Sequence, residues 1–190
     1  MIAGASRLAA HLRRLWRAEN GAAGAEMAIW AAALVVPIYG TVDLAHYTYK
    51  RMQVDAAAQA AAHRAWVLCD ATTKLPAITA CNGLTAAMTQ AAQATSLGTG
   101  VTLGTTKEGY YCADADGKLT LVGTEGSGTT APIKPSTFTC AGIPPGNSST
   151  KPGEYIVVTA NYTFTPLFGS LSFSQLLPTA VSRTAWMRLT

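Results

Sequence analysis

The chain has 190 residues, room for one membrane segment and one domain of ordinary size but not for two full soluble domains. It is 49% hydrophobic and 13% charged, where soluble domains carry about 25% charged residues, so part of the apolar excess belongs to a segment that does not face water. The formal net charge of +4 does not mark a nucleic-acid binder: Arg7, Arg13, Arg14 and Arg17 against Glu19 carry +3 of it before residue 21, and the remainder has ten basic and nine acidic side chains, without the clustered Lys and Arg that phosphates require.

Residues 1–21 form a basic leader. Behind it, sixteen consecutive uncharged residues separate Glu26 from Asp43. Ala25 to Leu44 makes about 30 Å of helix at about 1.5 Å per residue, which crosses a bilayer with the two carboxylates near its ends. The run is apolar all round, unlike a helix with one buried face, and it exceeds the core of about 7 to 15 residues found in a cleaved secretory signal. A transmembrane helix is expected over residues 22–45. The positive-inside rule keeps the leader in the cytoplasm and sends everything after Asp43 across. The expected location is therefore the inner membrane, single-pass, with a periplasmic or extracellular C-terminal domain. Pro37 removes one helical hydrogen bond, and with Gly40 it marks a kink or hinge, although membrane helices in general carry more Pro than soluble ones.

Past the membrane, Leu44, Tyr47, Arg51, Val54, Ala58, Ala61, Ala62 and Ala65 recur at spacings of three and four, which extends the helix as a stem over residues 46–68. Residues 69–190 form a globular α+β domain. Asn82 to Ser96 reads as a second, short helix stopped by Gly98 and Gly100. Strands are expected at Val101 to Thr105, Tyr110 to Cys112, Lys118 to Val122, Tyr155 to Phe164 and Ala180 to Leu189. In the fourth, Ile156, Val158, Ala160, Tyr162 and Phe164 alternate with Val157, Thr159, Asn161 and Thr163, so one face packs on the stem. Thr124 to Pro152 is a Gly-, Pro-, Ser- and Thr-rich loop interrupted by Phe138 to Cys140.

Cys69, Cys81, Cys112 and Cys140 all follow the membrane segment. In an oxidising compartment they form two disulfides, with three pairings open. Cys69 with Cys81 and Cys112 with Cys140 is favoured, because each closes a local loop in a small domain. Zinc is disfavoured by the absence of CxxC spacing and of a nearby His, and no cofactor is implied. His11 lies in the leader and His46 and His63 on the stem, so no Ser, His and Asp set is suggested and no enzyme is expected. Asp114 and Asp116 in DADGK read as a turn rather than a calcium site. Asn147 and Asn161 fit the glycosylation pattern, which loop and strand composition explain without modification.

The stretch GAAGAEMAIWAAALVVPIYGTVDLAHYTYKRMQVDAAAQAAAHRAW, with its basic leader, small-residue run with Glu, membrane run with Pro, following Asp and Ala-rich helix, resembles the TadE-like proteins. These are small pilin-like subunits of the tight-adherence (Tad/Flp, type IVc) pilus system. The C-terminal YIVVTANYTFTPLFGSLSFSQLLPTAVSRTAWMRLT adds the strand, TPLF-like turn and final strand with which such chains often end. The resemblance implies a pilin-like α+β fold, a long N-terminal helix packed on a small antiparallel sheet with a second short helix. It also implies cleavage by a prepilin peptidase after Gly21, leaving Ala22 as the N-terminus and Glu26 as the fifth residue. In related pilins that Glu meets the N-terminal amine of a neighbouring subunit, and a carboxylate inside a bilayer is costly unless paired. The alternative is that Glu26 sits at the interface and snorkels. A Tyr or Phe often follows this Glu; here Met27 does. The implied partners are the inner membrane, the peptidase, and the major and other minor pilins. The implied role is that of a minor pilin, or pseudopilin, in pilus assembly and so in surface adhesion. A membrane-anchored periplasmic binding or adhesive module is the alternative function.

Overall fold

The computed structural model describes residues 19–114, 116–140, 151–169 and 173–190, without the side chains of residues 19–22, 173 and 174. Residues 1–18, with His11, and Asn147 lie outside the described residues. Helix α1 runs Glu19–Leu68, 50 residues. A 3₁₀ turn at Thr72–Lys74 leads to α2 (Ala77–Ala80), α3 (Leu84–Gln93) and a second 3₁₀ turn at Gly98–Gly100. The strands are β1 (Val101–Leu103), β2 (Lys107–Ala113), β3 (Leu119–Ser127), β4 (Gly153–Thr163) and β5 (Ala180–Arg188), with a 3₁₀ turn at Phe173–Leu176 before β5. A long N-terminal apolar helix, a small antiparallel sheet and short helices make this the α+β layout expected from the sequence.

The chain divides into two compact units. One is the helix up to His46 together with Pro166–Leu177; the other is Tyr47–Thr165 with Pro178–Thr190. In the second unit β4 is the centre of the sheet. β5 pairs along one side of it from Tyr155 to Thr163, while β1 and β2 share the other side and β3 lies beyond β2, every pairing antiparallel. Of the alternation read along β4, Ile156, Val158 and Ala160 are fully buried, but Val157 of the opposite set is buried as well, paired between Lys107 and Trp186 in the middle of the sheet. Stem residues Val54, Ala57, Ala58, Ala61, Ala62 and Ala65 are fully buried as well, because alanine lets a helix backbone approach a sheet closely. Tyr47 meets Phe164 edge-on at 5.1 Å, and the Lys50 ammonium lies 5.7 Å from the centre of the Tyr162 ring.

Leu44 and Arg51 fall outside the buried stripe; both are exposed. Lys50, four residues before Val54, takes the place expected of Arg51, since it reaches Tyr162 and keeps its charge at the edge of the packed face. β2 begins at Lys107 rather than Tyr110, with a register shift between Glu108 and Tyr110. β3 continues to Ser127 rather than stopping at Val122. From Thr124 on the sequence reads as a loop, but the glycines there admit a crossing segment. A Cβ on Gly126 would stand 2.5 Å from both Pro132 N and Thr130 O, so only glycine leaves room for that chain.

Candidate membrane and assembly helix

Along the first part of α1, every described side chain from residue 23 to residue 38 is exposed. Met27 is 73%, Ile29 69% and Trp30 68% exposed. Only 6% of the most apolar window, of mean hydropathy 1.7, is buried. A core helix of a water-soluble domain hides its apolar face, whereas this one presents apolar groups in all directions over a length that crosses a bilayer. It fits a single-pass membrane protein.

Gly21 and Ala22 lie in helical backbone near the start of α1. Glu26 is exposed one turn further on, and among the described residues its carboxylate takes no hydrogen bond or ion pair. The helix continues through Pro37 and Gly40. Lacking an N–H, Pro37 gives no bond to the carbonyl of Ala33, and Thr41 Oγ1 donates to the Pro37 carbonyl at 2.8 Å.

The outer end of the apolar run holds two contacts that sequence reasoning missed. Asp43 is fully buried, and its Oδ1 accepts the backbone N–H of Leu167 at 2.8 Å. One turn earlier, Tyr39 stacks on Phe168 with ring centres 4.3 Å apart and planes 9° from parallel. Residues four apart share a helix face, so both contacts are made by the same side of α1. Their partners are far away in sequence, and only the TPLF turn hinted at them.

In the second unit the four cysteines pair as favoured, Cys69 with Cys81 and Cys112 with Cys140. Such bonds contribute about 2 to 4 kcal/mol each, chiefly by restricting the unfolded chain. Alkylation of the unreduced protein is therefore expected to leave all four thiols unlabelled, and stoichiometric labelling of any one would contradict the pairing. The DADGK segment is the turn between β2 and β3. Asp114 Oδ1 accepts the N–H groups of Asp116 at 3.1 Å and Lys118 at 2.7 Å, and Gly117 supplies the positive φ of 77°. Among the described residues no group of three or more His, Cys, Asp or Glu could hold a metal ion.

Two acids unnoticed in the sequence define the interior instead. Glu108 is fully buried, and its carboxylate accepts the N–H groups of Ala77 at 2.7 Å and Ile78 at 2.9 Å. Glu154 is buried on the neighbouring strand, interacts electrostatically with Glu108 and accepts the Tyr110 hydroxyl at 3.3 Å. Burial and then the charge of Glu108 push the Glu154 carboxyl up to about 7, against smaller opposing effects of Tyr110 and Lys134. Burial and the charge of Glu154 in turn raise the Tyr110 phenol above its usual range. Glu154 and Tyr110 open on a cleft of about 590 Å³, where Lys134 lies over the rings of Tyr110 and Phe138 at 5.6 and 5.5 Å. Glu154 was legible in part, for it stands two residues before Ile156 and so in phase with the buried face.

No curated protein and no solved structure matches the chain. Residues 21–63 do match a family model, described as TadE-like protein. The matched segment lies wholly on α1 and contains Glu26, Pro37, Gly40 and Asp43, which makes this stretch TadE-like and is consistent with a TadE-like protein of the Tad pilus system.

Proposed function

We propose that the protein is a minor pilin, or pseudopilin, which takes part in assembly of a Tad pilus and so in surface adhesion. The observation that carries this reading is the exposed Glu26, without an internal partner among the described residues, on a helix that is apolar in every direction and lies inside the TadE-like match. A carboxylate in that setting is best satisfied from outside the chain. In this reading a prepilin peptidase cuts after Gly21, and the new amine of Ala22 and the Glu26 carboxylate are paired between neighbouring helices. The helix lies in the inner membrane with its leader in the cytoplasm, loosened at Pro37 and Gly40. The role is structural rather than enzymatic, and its partners are the other pilins of the system.

Mass spectrometry of the native protein is expected to find Ala22 at the N-terminus, and Gly21→Leu to leave the full-length precursor in the membrane. Glu26→Gln keeps the shape and removes the charge, so cleavage and insertion survive while association falls. A charge near a helix end is held less strongly than the roughly 3 kcal/mol at the bilayer centre, so a loss of about tenfold in partner association and in surface pili is expected. An intact leader on the mature protein would instead favour an anchored binding module. Normal piliation with Glu26→Gln would mean that the carboxylate only snorkels.

A further inference from the structure

The unit that contains the membrane helix also contains a second apolar element. Pro166–Leu177 is grouped with the helix, and two of its residues present large apolar side chains to the outside, Leu167 at 60% and Leu176 at 84% exposure. No charged residue occurs between Tyr155 and Ser182. A connection that faces water does not ordinarily expose leucines without a charge near them, and exposed leucines on an uncharged stretch have the composition of a contact surface. The position of this one identifies what it contacts. Leu167 is bonded to Asp43 and Phe168 is stacked on Tyr39, so the element is fastened to α1 across one turn. That turn is the last of the sixteen uncharged residues and the acid that ends them. At about 1.5 Å per residue, Tyr39 lies about 6 Å inward of Asp43 along the helix axis. With Asp43 closed off from solvent by a backbone amide, this turn does not need to reach water.

We propose that Leu167, Phe168 and Leu176 seat in the interfacial layer of the outer leaflet beside α1, so that the chain meets the bilayer twice, through a spanning helix and through a shallow apolar element bonded to its outer end. The partner is the lipid surface. The inference rests on the reading of α1 as a membrane span, and continuity with that span selects lipid over other occupants: a helix embedded up to Asp43 carries Leu167 and Phe168 to the same depth. Interfacial aromatic and leucine side chains gain from that position, where apolar bodies leave water and backbone groups keep polar neighbours.

The test uses the full-length protein in phosphatidylcholine liposomes. Its four cysteines are bonded to one another, so single cysteines at Ile29, Leu176 and Thr120 can each take a nitroxide label. Collision with oxygen, which concentrates in lipid, and with a water-soluble nickel complex reports what surrounds each label. The expected result is oxygen-dominated relaxation at Ile29→Cys, the same in shallower form at Leu176→Cys, and nickel-dominated relaxation at Thr120→Cys. Nickel-dominated relaxation at position 176 with oxygen-dominated relaxation at 29 overturns the inference and leaves the span intact. Nickel-dominated relaxation at 29 removes the span and the inference together. A label at 176 shielded from both agents would show that another protein chain covers it, which also overturns the inference.

Discussion

Replacing Glu108 by alanine is expected to destabilise the sheet-bearing unit by about 3 to 5 kcal/mol. The carboxylate is fully buried and accepts two backbone N–H groups, those of Ala77 and Ile78. Removing it leaves the buried N–H of Ala77 and the partly buried N–H of Ile78 without an acceptor, at about 1 to 3 kcal/mol for a buried donor and less for a partly buried one, and adds a cavity. The loss reaches beyond the site because Ala77 and Ile78 begin α2, inside the loop closed by Cys69 and Cys81. Glu108 is thus the clamp that holds this loop to β2. For a unit of this size the cost corresponds to a fall in Tm of about 10 to 20 °C, read by thermal unfolding of the full-length protein in detergent micelles. Glu108→Gln keeps one acceptor oxygen and turns a donor toward the other N–H, so a smaller fall is expected. An unchanged Tm for the alanine variant would show that water replaces the carboxylate without cost.

Periodicity makes α1 and β4 legible in the amino-acid sequence. Both elements repeat their apolar pattern over many residues, and the fold buries most of what the pattern selects, from Val54 to Ala65 on the stem and at Ile156, Val158 and Ala160 in β4, but not Leu44 and Arg51. β2 is legible only from Tyr110, because Lys107, Glu108 and Gly109 have the composition of a turn. What turns Glu108 inward is a pair of amides about thirty residues earlier in the chain, 31 residues in the case of Ala77, and no local pattern encodes such a partner. Asp43 poses the same difficulty across 124 residues. Read locally, it is the charge that ends a membrane run; in the fold it is the attachment point for Leu167.

The residues proposed for assembly differ in kind. Glu26 and the small residues before it are visible because the surrounding sequence is so uniformly apolar that one acid stands out. The fold adds to this the exposure of Glu26 and the absence of a described internal contact. In the proposed assembly the partner of Glu26 belongs to another molecule, and such a group leaves no long-range contact within its own chain. It leaves only an uncompensated charge on an apolar surface, which is a local property and therefore readable from sequence.

Between about pH 4.5 and 7, the sheet-bearing unit is expected to lose stability as the pH rises, through Glu154. Burial and the neighbouring Glu108 raise this carboxyl from 4.5 to about 7 in the folded chain. Unfolded, it releases its proton near its ordinary value. Across that window the folded state therefore holds more protons than the unfolded state, and stability must fall with increasing pH, becoming level below 4.5 and above 7. A tenfold difference in proton affinity between the two states corresponds to about 1.4 kcal/mol, and because Glu154 opens on the Tyr110 cleft solvent screening reduces the sum to about 1 to 3 kcal/mol. The corresponding fall in Tm is about 3 to 10 °C. Glu154→Gln stays neutral at every pH, can still donate toward Glu108 and can still accept from the Tyr110 hydroxyl. The variant should match the parent near pH 4.5 and exceed it at pH 7.5, and this difference between the two unfolding curves isolates Glu154 from every other titrating group. A difference that does not change with pH would mean that Glu154 is already ionised in the fold, with its charge balanced by Lys134 across the cleft.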